Sequence, residues 1–195
     1  MGATEDKMKI ALSICFAFTI CVLIGCKGET TTEPIQTQNL IQNSSFESNG
    51  GPSIAGWIHA DSSRWTIFPD APNGGGRYSI VLYPAGRYTF SYNSVITKVA
   101  IFSGNHRYNL SCWAKRTSQR AGSIHLFVGS GDLDEMTAVQ TIAVTESLWT
   151  YYSREMMISS SSNDTVSIAL FGGYSPISYP GDSTFFDLCK FEILN

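Results

Sequence analysis

From Tyr78 onward the apolar residues of this 195-residue chain recur at every second position, in short runs at 78–82, 88–92, 95–102, 108–115, 124–128, 139–144, 150–157, 165–171 and 185–194. A period of two sends successive side chains to opposite sides of an extended backbone, so each run is predicted to be a strand. Turn formers separate them, at 73–76 (Asn-Gly-Gly-Gly), 84–86, 103–105, 129–132, 159–164 and 180–182. Glycine, proline, asparagine and aspartate end strands there because they accept the backbone angles that tight reversals need. No segment sustains a helical period. Many short strands joined by regular turns specify an all-β chain, an antiparallel sandwich or barrel. Charged residues make up only 15% of the chain against 12% aromatics, a balance that suits an extracellular β protein better than a charged helical one.

Strand phase separates the faces. In 108–115, Tyr108, Leu110, Cys112 and Ala114 form one side and leave Ser111, Trp113 and Lys115 on the other. Ile124, Leu126 and Val128 point inward and expose His125 and Phe127, while Val166, Ile168 and Leu170 do the same for Ser167, Ala169 and Phe171. Flat rings mixed with small and polar side chains suit a sugar, whose C–H faces pack on aromatics while its hydroxyls hydrogen-bond. Trp113, Phe127 and Phe171 are therefore the expected platform, with His125, Ser111 and Lys115 as hydrogen-bonding neighbours. The alternative is that loops cover this face and make its aromatics a second small core. Trp65, Tyr174 and Tyr179, in loop-like surroundings, are the alternative ligand-binding residues.

The N-terminal segment has its own pattern. Lys7 and Lys9 precede an apolar run from Ile10 to Gly25, shorter than the ~20 residues of an ordinary membrane span, and Leu23-Ile24-Gly25 leads directly to Cys26. This resembles a bacterial lipoprotein signal, with either Met1 or Met8 as the start. The resemblance implies cleavage before Cys26, acylation of that cysteine, and attachment to the bacterial cell envelope outside the cytoplasm, at the outer membrane or cell surface; a membrane anchor that happens to end at a cysteine is the other reading. Residues 1–25 are then a signal peptide, 26–38 a polar, Thr-rich tether and 39–195 one β domain. Without the signal, 11 Lys and Arg stand against 14 Asp and Glu, which leaves no basic field for nucleic acid. Cys112 and Cys189 alone remain in the fold, either bridged or as buried thiols.

The order of segments adds a second resemblance. The stretch 39–47, Asn-Leu-Ile-Gln-Asn-Ser-Ser-Phe-Glu, followed by Gly56-Trp57, is similar to the opening of carbohydrate-binding modules of the galactose-binding-like jelly-roll type. The segments 108–115, 148–151 and 185–193 resemble that group's middle strand, tryptophan motif and closing strand. The resemblance implies a jelly-roll β-sandwich over 39–195 and a glycan or polysaccharide as partner. It further implies a structural Ca²⁺ shared by Glu47 and Asp187 with backbone carbonyls, since calcium takes six to eight oxygen ligands; otherwise Asp187 caps a turn and Glu47 is solvated. Asp187 shares phase with Cys189, Phe191 and Ile193, so it is expected on the inward side. Leu188 departs from the family pattern, in which a second acidic residue is usual.

The common zinc and nucleophile motifs do not occur, and His59, His106 and His125 are scattered. Asp132, Asp134 and Glu135 share one loop, which reads as solvated rather than as an opposed acid/base pair. The expected protein is thus a lipid-anchored, non-catalytic carbohydrate binder. A structural or adhesive lipoprotein that holds a protein partner is the first alternative, and a polysaccharide-acting enzyme the second.

Overall fold

The alternating runs pair into two five-stranded antiparallel sheets stacked face to face. The computed structural model describes residues 38–194 apart from 60, 87–88, 121, 162–163 and 176–180, all within one unit spanning 37–195. The signal, Cys26 and the tether, up to its last residue, lie outside the described residues.

The strands are β1 (Glu47–Ser48), β2 (Gly51–Pro52), β3 (Ile58–His59), β4 (Trp65–Phe68), β5 (Ser79–Leu82), β6 (Ser94–Ala100), β7 (Gly104–Arg116), β8 (Ser123–Val128), β9 (Gln140–Ala143), β10 (Thr150–Ser160), β11 (Thr165–Phe171) and β12 (Thr184–Leu194). The first large sheet runs β10-β7-β12-β5-β4 and the second β3-β6-β11-β8-β9, with β1 and β2 forming a small hairpin. The inward phases are those the sequence predicts: Tyr108, Leu110, Cys112 and Ala114 from one sheet meet Ile124, Leu126, Val166, Ile168 and Leu170 from the other in a single core. Burying each large side chain contributes roughly 1.5–3 kcal/mol. Cys112 and Cys189 form a disulfide that closes 77 residues. In the chain-entropy account such a loop stabilises by about 4–5 kcal/mol.

Two local readings are corrected. Within the predicted strand at 88–92 the described residues 89–92 are not a strand: α1 (Phe90–Asn93) is a single helical turn that starts after Thr89, its Asn93 N–H reaching the Thr89 carbonyl at 3.1 Å. The opening segment, 39–46, is a run of turns pinned to the last strand by an Asn39–Glu192 bridge and the Leu40 N–H to Phe191 carbonyl bond of 2.8 Å. Asp187 is not on the inward side. Leu188 adopts φ 48°, a left-handed angle, and the register slips between Asp187 and Lys190. This extra residue is a β-bulge. It leaves Phe186, Cys189 and Phe191 facing the core and turns Asp187 outward, opposite Trp113.

Candidate functional site

The six residues expected on one face divide between two. Trp113, Ser111 and Lys115 lie on β7 in the first sheet, whereas His125, Phe127 and Phe171 lie on β8 and β11 in the second. The two sheets turn their outer sides in opposite directions, so no common platform exists. Alternation tells which side of its own strand a residue takes and is silent about which sheet holds the strand.

On the second sheet the outward aromatics are covered. Phe127 and Phe171 are 0% and 2% exposed, and they form a second core with Phe90, Leu133 and Ala169. Phe90 from α1 meets Phe127 edge-on at 4.9 Å between ring centroids and His125 at 4.6 Å. The loop after β8 brings Leu133 down with Met136 packed beside it, and an Asp134 carboxylate oxygen accepts the Phe90 N–H. His125 is itself buried. Its Nε2 pairs with the Ser123 hydroxyl at 2.6 Å and its Nδ1 with the Thr141 hydroxyl at 3.1 Å. Desolvation lowers its pKa to about 4, so the ring is neutral at physiological pH. The expectation that His125, Phe127 and Phe171 present an open surface is therefore overturned; they are a covered layer.

The first sheet's outer side is open where Trp113 stands. Tyr151 is its cross-strand partner on β10, half exposed, with ring centroids 5.7 Å apart. In the next rows, Ser153 faces Ser111, and the Ser153 hydroxyl donates to Asn109 Oδ1 at 2.7 Å. The Ser111 hydroxyl is buried with no partner among the described residues. Lys115 is committed elsewhere: its ammonium pairs with Asp70 at 2.6 Å and lies over Trp149 and Phe185 at 5.0 and 4.8 Å. Burial would raise the Asp70 pKa, but hydrogen bonds from Lys115 and Trp149 and the lysine charge outweigh it and hold the carboxyl below its usual range. The platform is thus a Trp113–Tyr151 pair bordered by amide and hydroxyl groups. Sequence phase contained Tyr151, Ser153 and Asn109, but only strand register joins them to Trp113.

The alternative residues are dispersed. Trp65 sits on the edge strand β4, packed against the main core, with its ring 4.7 Å from that of His59 on the edge strand β3 of the other sheet. Tyr174 is exposed beside Ala85, and Tyr179 lies outside the described residues.

Glu47 and Asp187 do converge. Phe46 takes a left-handed φ of 54° that buries its ring against Trp57, and Glu47 follows directly. One Glu47 carboxylate oxygen accepts the N–H groups of Arg77 and Tyr78, the latter at 2.6 Å. Asp187 is fully buried. Its Oδ1 accepts the Leu188 N–H at 2.7 Å while its Oδ2 has no hydrogen-bond partner. Burial, and secondarily the Glu47 charge, push its pKa up to about 8 against the opposing Leu188 bond. A side chain at Gly75 would fall on Asp187 Oδ2, and one at Gly76, where φ is 84°, would fall on the Glu47 carboxylate. The two glycines form a cradle around two hard oxygen donors. Among the described residues no group of three or more His, Cys, Asp or Glu side chains converges, so backbone oxygens must complete any cation shell here.

Comparison with known proteins follows this geometry. The profile of a family described as "Carbohydrate binding domain" (CBM_4_9) matches residues 38–181. No curated protein matches the chain. Among solved structures it is similar to "Family 16 Carbohydrate Binding Module-2", at 20% identity and TM-score 0.53, covering 78% of this chain and 99% of that one. A structure titled "CBM4 structure and function" aligns at 15% identity and TM-score 0.52 over 79% and 99% of the two chains. A putative sugar binding protein from Bacteroides thetaiotaomicron aligns at 9% identity and TM-score 0.51, over 80% and 99%. At such identities the likeness establishes the jelly-roll sandwich fold.

Proposed function

We propose, from the premise that this chain belongs to the carbohydrate binding domain family, that it is a non-catalytic glycan-binding lipoprotein whose ligand lies on the outer side of the first sheet. The observation that carries this is the Trp113–Tyr151 pair, two adjacent rings on the open outer side of the first sheet, where the outward Phe127 and Phe171 of the second sheet are buried. Apolar C–H faces of a sugar pack on the two rings, and the Asn109 and Ser153 groups beside them orient its hydroxyls, whereas Ser111, fully buried, does not reach the ligand. Binding rather than turnover is supported by the state of the nearby carboxylates. Glu155 pairs with Arg107, Asp70 pairs with Lys115, and Asp187, opposite Trp113, is fully buried, whereas glycoside hydrolysis requires two carboxyl groups that reach and flank one bond.

Glu47 and Asp187 hold a structural Ca²⁺ in this reading. Their unpartnered buried oxygen, their shared cradle and their hard donor chemistry fit such an ion, which would neutralise the two carboxylates and tie the loop at 72–76 to β12. Cys26 carries the lipid that holds the protein on the bacterial envelope, as its position after Leu23-Ile24-Gly25 supports. Intact mass should show a diacylated or triacylated cysteine, and Cys26→Ser should abolish membrane association.

A glycan array probed with the purified protein tests the function. Binding to one or more glycans, lost in Trp113→Ala, supports it. An array on which no glycan binds, or on which Trp113→Ala binds as the unaltered protein does, rejects it or its site.

A further inference from the structure

Four strands form the edges of the two large sheets, and three of them are short: β3 has two residues, and β4 and β9 have four each. The fourth, β10, is eleven residues long and among the described residues pairs only with β7, in unbroken register from Thr150–Ala114 to Ser160–Gly104. A free edge is a row of unpaired N–H and C=O groups, which monomeric proteins blunt with short strands, lysine, proline or a bulge. The β10 sequence holds no lysine or proline, and its ladder holds no bulge. Its outer edge is open to another strand.

The side chains along that edge indicate which strand. A cavity of 210 Å³ with Val128, Val139, Met156 and Ile158 in its walls opens beside the second half of β10. Just before the first half, Leu148 projects with 78% of its surface exposed. Leu148 and Ile158 lie five residues to either side of Ser153. When β10 pairs antiparallel with β10 of a second copy, centred on Ser153, each Leu148 therefore comes opposite the partner's Ile158, over the partner's groove. The same register sets Arg154 opposite the partner's Tyr152 and Glu155 opposite the partner's Tyr151, a guanidinium against a ring and a carboxylate against a phenol. Arg154 has no ion pair among the described residues to give up. Centring the pair on Arg154 or Glu155 would instead set like charges face to face, which directly opposed strand positions disfavour.

We infer that β10 is a self-association edge, through which two copies of this chain pair antiparallel about Ser153 with each Leu148 filling the other's apolar groove. A knob and a socket at equal distances on either side of one residue are what an isologous two-fold interface requires. The pairing joins the two first sheets into one sheet of ten strands and leaves both Trp113–Tyr151 pairs on the same outer side. Strand spacing and rise then put the two tryptophans about 20 Å apart. A glycan chain of that length meets both, a consequence that rests on the proposed function, whereas the dimer does not.

Sedimentation of the purified protein in detergent, over a range of concentrations, tests the pairing without any glycan. The expected species is a dimer. Leu148→Asp takes away the apolar contact twice per dimer and should raise the dissociation constant about a hundredfold or more. Ser153→Lys and Ser153→Glu should each sediment as monomers, since like charges meet at the two-fold axis, and an equimolar mixture of the two should recover the dimer. Both positions are exposed, so the thermal melts of the variants should match that of the unaltered protein; if a Ser153 variant does not fold, Leu148→Asp decides alone. A monomer at every concentration, a dimer that Leu148→Asp does not weaken, or folded Ser153 variants that dimerise alone or fail to recover on mixing overturns the inference. The glycan array decides the proposed function separately: a blank array leaves the dimer standing, and a monomer that binds glycan rejects the dimer alone.

Discussion

The outer sides of the two sheets start from the same sequence pattern and end differently. Both place aromatic rings outward from strands whose other phase builds the main core. On the second sheet, Phe127 and Phe171 receive a further layer, Phe90 from α1 and Leu133 from the loop after β8, and become interior. On the first sheet, the rows beside Trp113 contain Ser111, Asn109 and Ser153, and at Tyr151 the surface stays open. Covering two phenylalanines recovers roughly 1.5–3 kcal/mol each, which exceeds what a short polar loop loses by being ordered over them only if that loop brings apolar residues of its own. Leu133 and Met136 are those residues. An outward aromatic therefore becomes a ligand platform only where no neighbouring segment has the apolar side chains to seal it.

The contrast can be broken or sharpened at several points. The largest expected effect is on the covered side: Phe127→Ala should cost about 3–5 kcal/mol of unfolding free energy in urea, as for other buried aromatics, while Trp113→Ala in the same assay should cost about 1 kcal/mol or less. The reverse order would mean that the faces have been exchanged. Next comes pH. His125 has a folded-state pKa of about 4, below its ordinary 6.5, so the unfolded chain takes up a proton first as pH falls. Stability should be complete above pH ~6.5 and decline between 6.5 and 4, by of the order of 3 kcal/mol. His125→Gln, which keeps hydrogen-bonding capacity without the titration, should flatten that decline; an unchanged slope would show that His125 is solvated.

Calcium is expected to act on the first sheet. Asp187 lies opposite Trp113, and an ion bound only by the folded state at a hundredfold excess over its Kd stabilises by about 2.7 kcal/mol. Chelation should lower the Tm and paired Glu47→Gln and Asp187→Asn replacements should remove the response; a melt indifferent to chelator, added calcium and both replacements would eliminate the ion. The smallest effect is on binding: Trp113→Ala should cost about 2 kcal/mol of glycan affinity, the scale of a hot-spot residue, and Tyr151→Ala somewhat less. Calorimetric titration against a glycan identified on the array measures both.

Which parts of this were readable beforehand follows from what a two-residue period encodes. It assigns each side chain to one side of its strand, and Tyr108, Leu110, Cys112, Ile124, Leu126, Ile168 and Leu170 are all where that rule puts them. It does not say which sheet a strand joins, so by phase alone Trp113 and Phe127 share a face, although in the fold they face opposite ways. It fails at a bulge, because Leu188 inserts one residue and reverses the phase of everything before it. Leu188 is a residue type that seldom takes a positive φ, so nothing in composition marks the site. Asp132, Asp134 and Glu135 mark the loop after β8 as solvated, whereas Leu133 and Met136, three apart in the same loop, carry the signal that it packs. Glu47 and Asp187, 140 positions apart, were joined by family resemblance and are brought together by the Gly75–Gly76 cradle, a long-range contact that no local pattern contains.

The Cys112–Cys189 bridge has a mechanical meaning. The segment that leaves the sandwich at residue 38 is attached through Asn39 and Leu40 to Glu192 and Phe191, and Cys189 N–H bonds back to the Ser44 carbonyl at 3.0 Å. Tension between residue 38 and a polymer seated on Trp113 would enter β12 at Phe191, pass two residues along it, and cross to β7 through a covalent bond one residue from that tryptophan. Hydrogen bonds at the start of that path could shear under load, but the step between the two central strands could not.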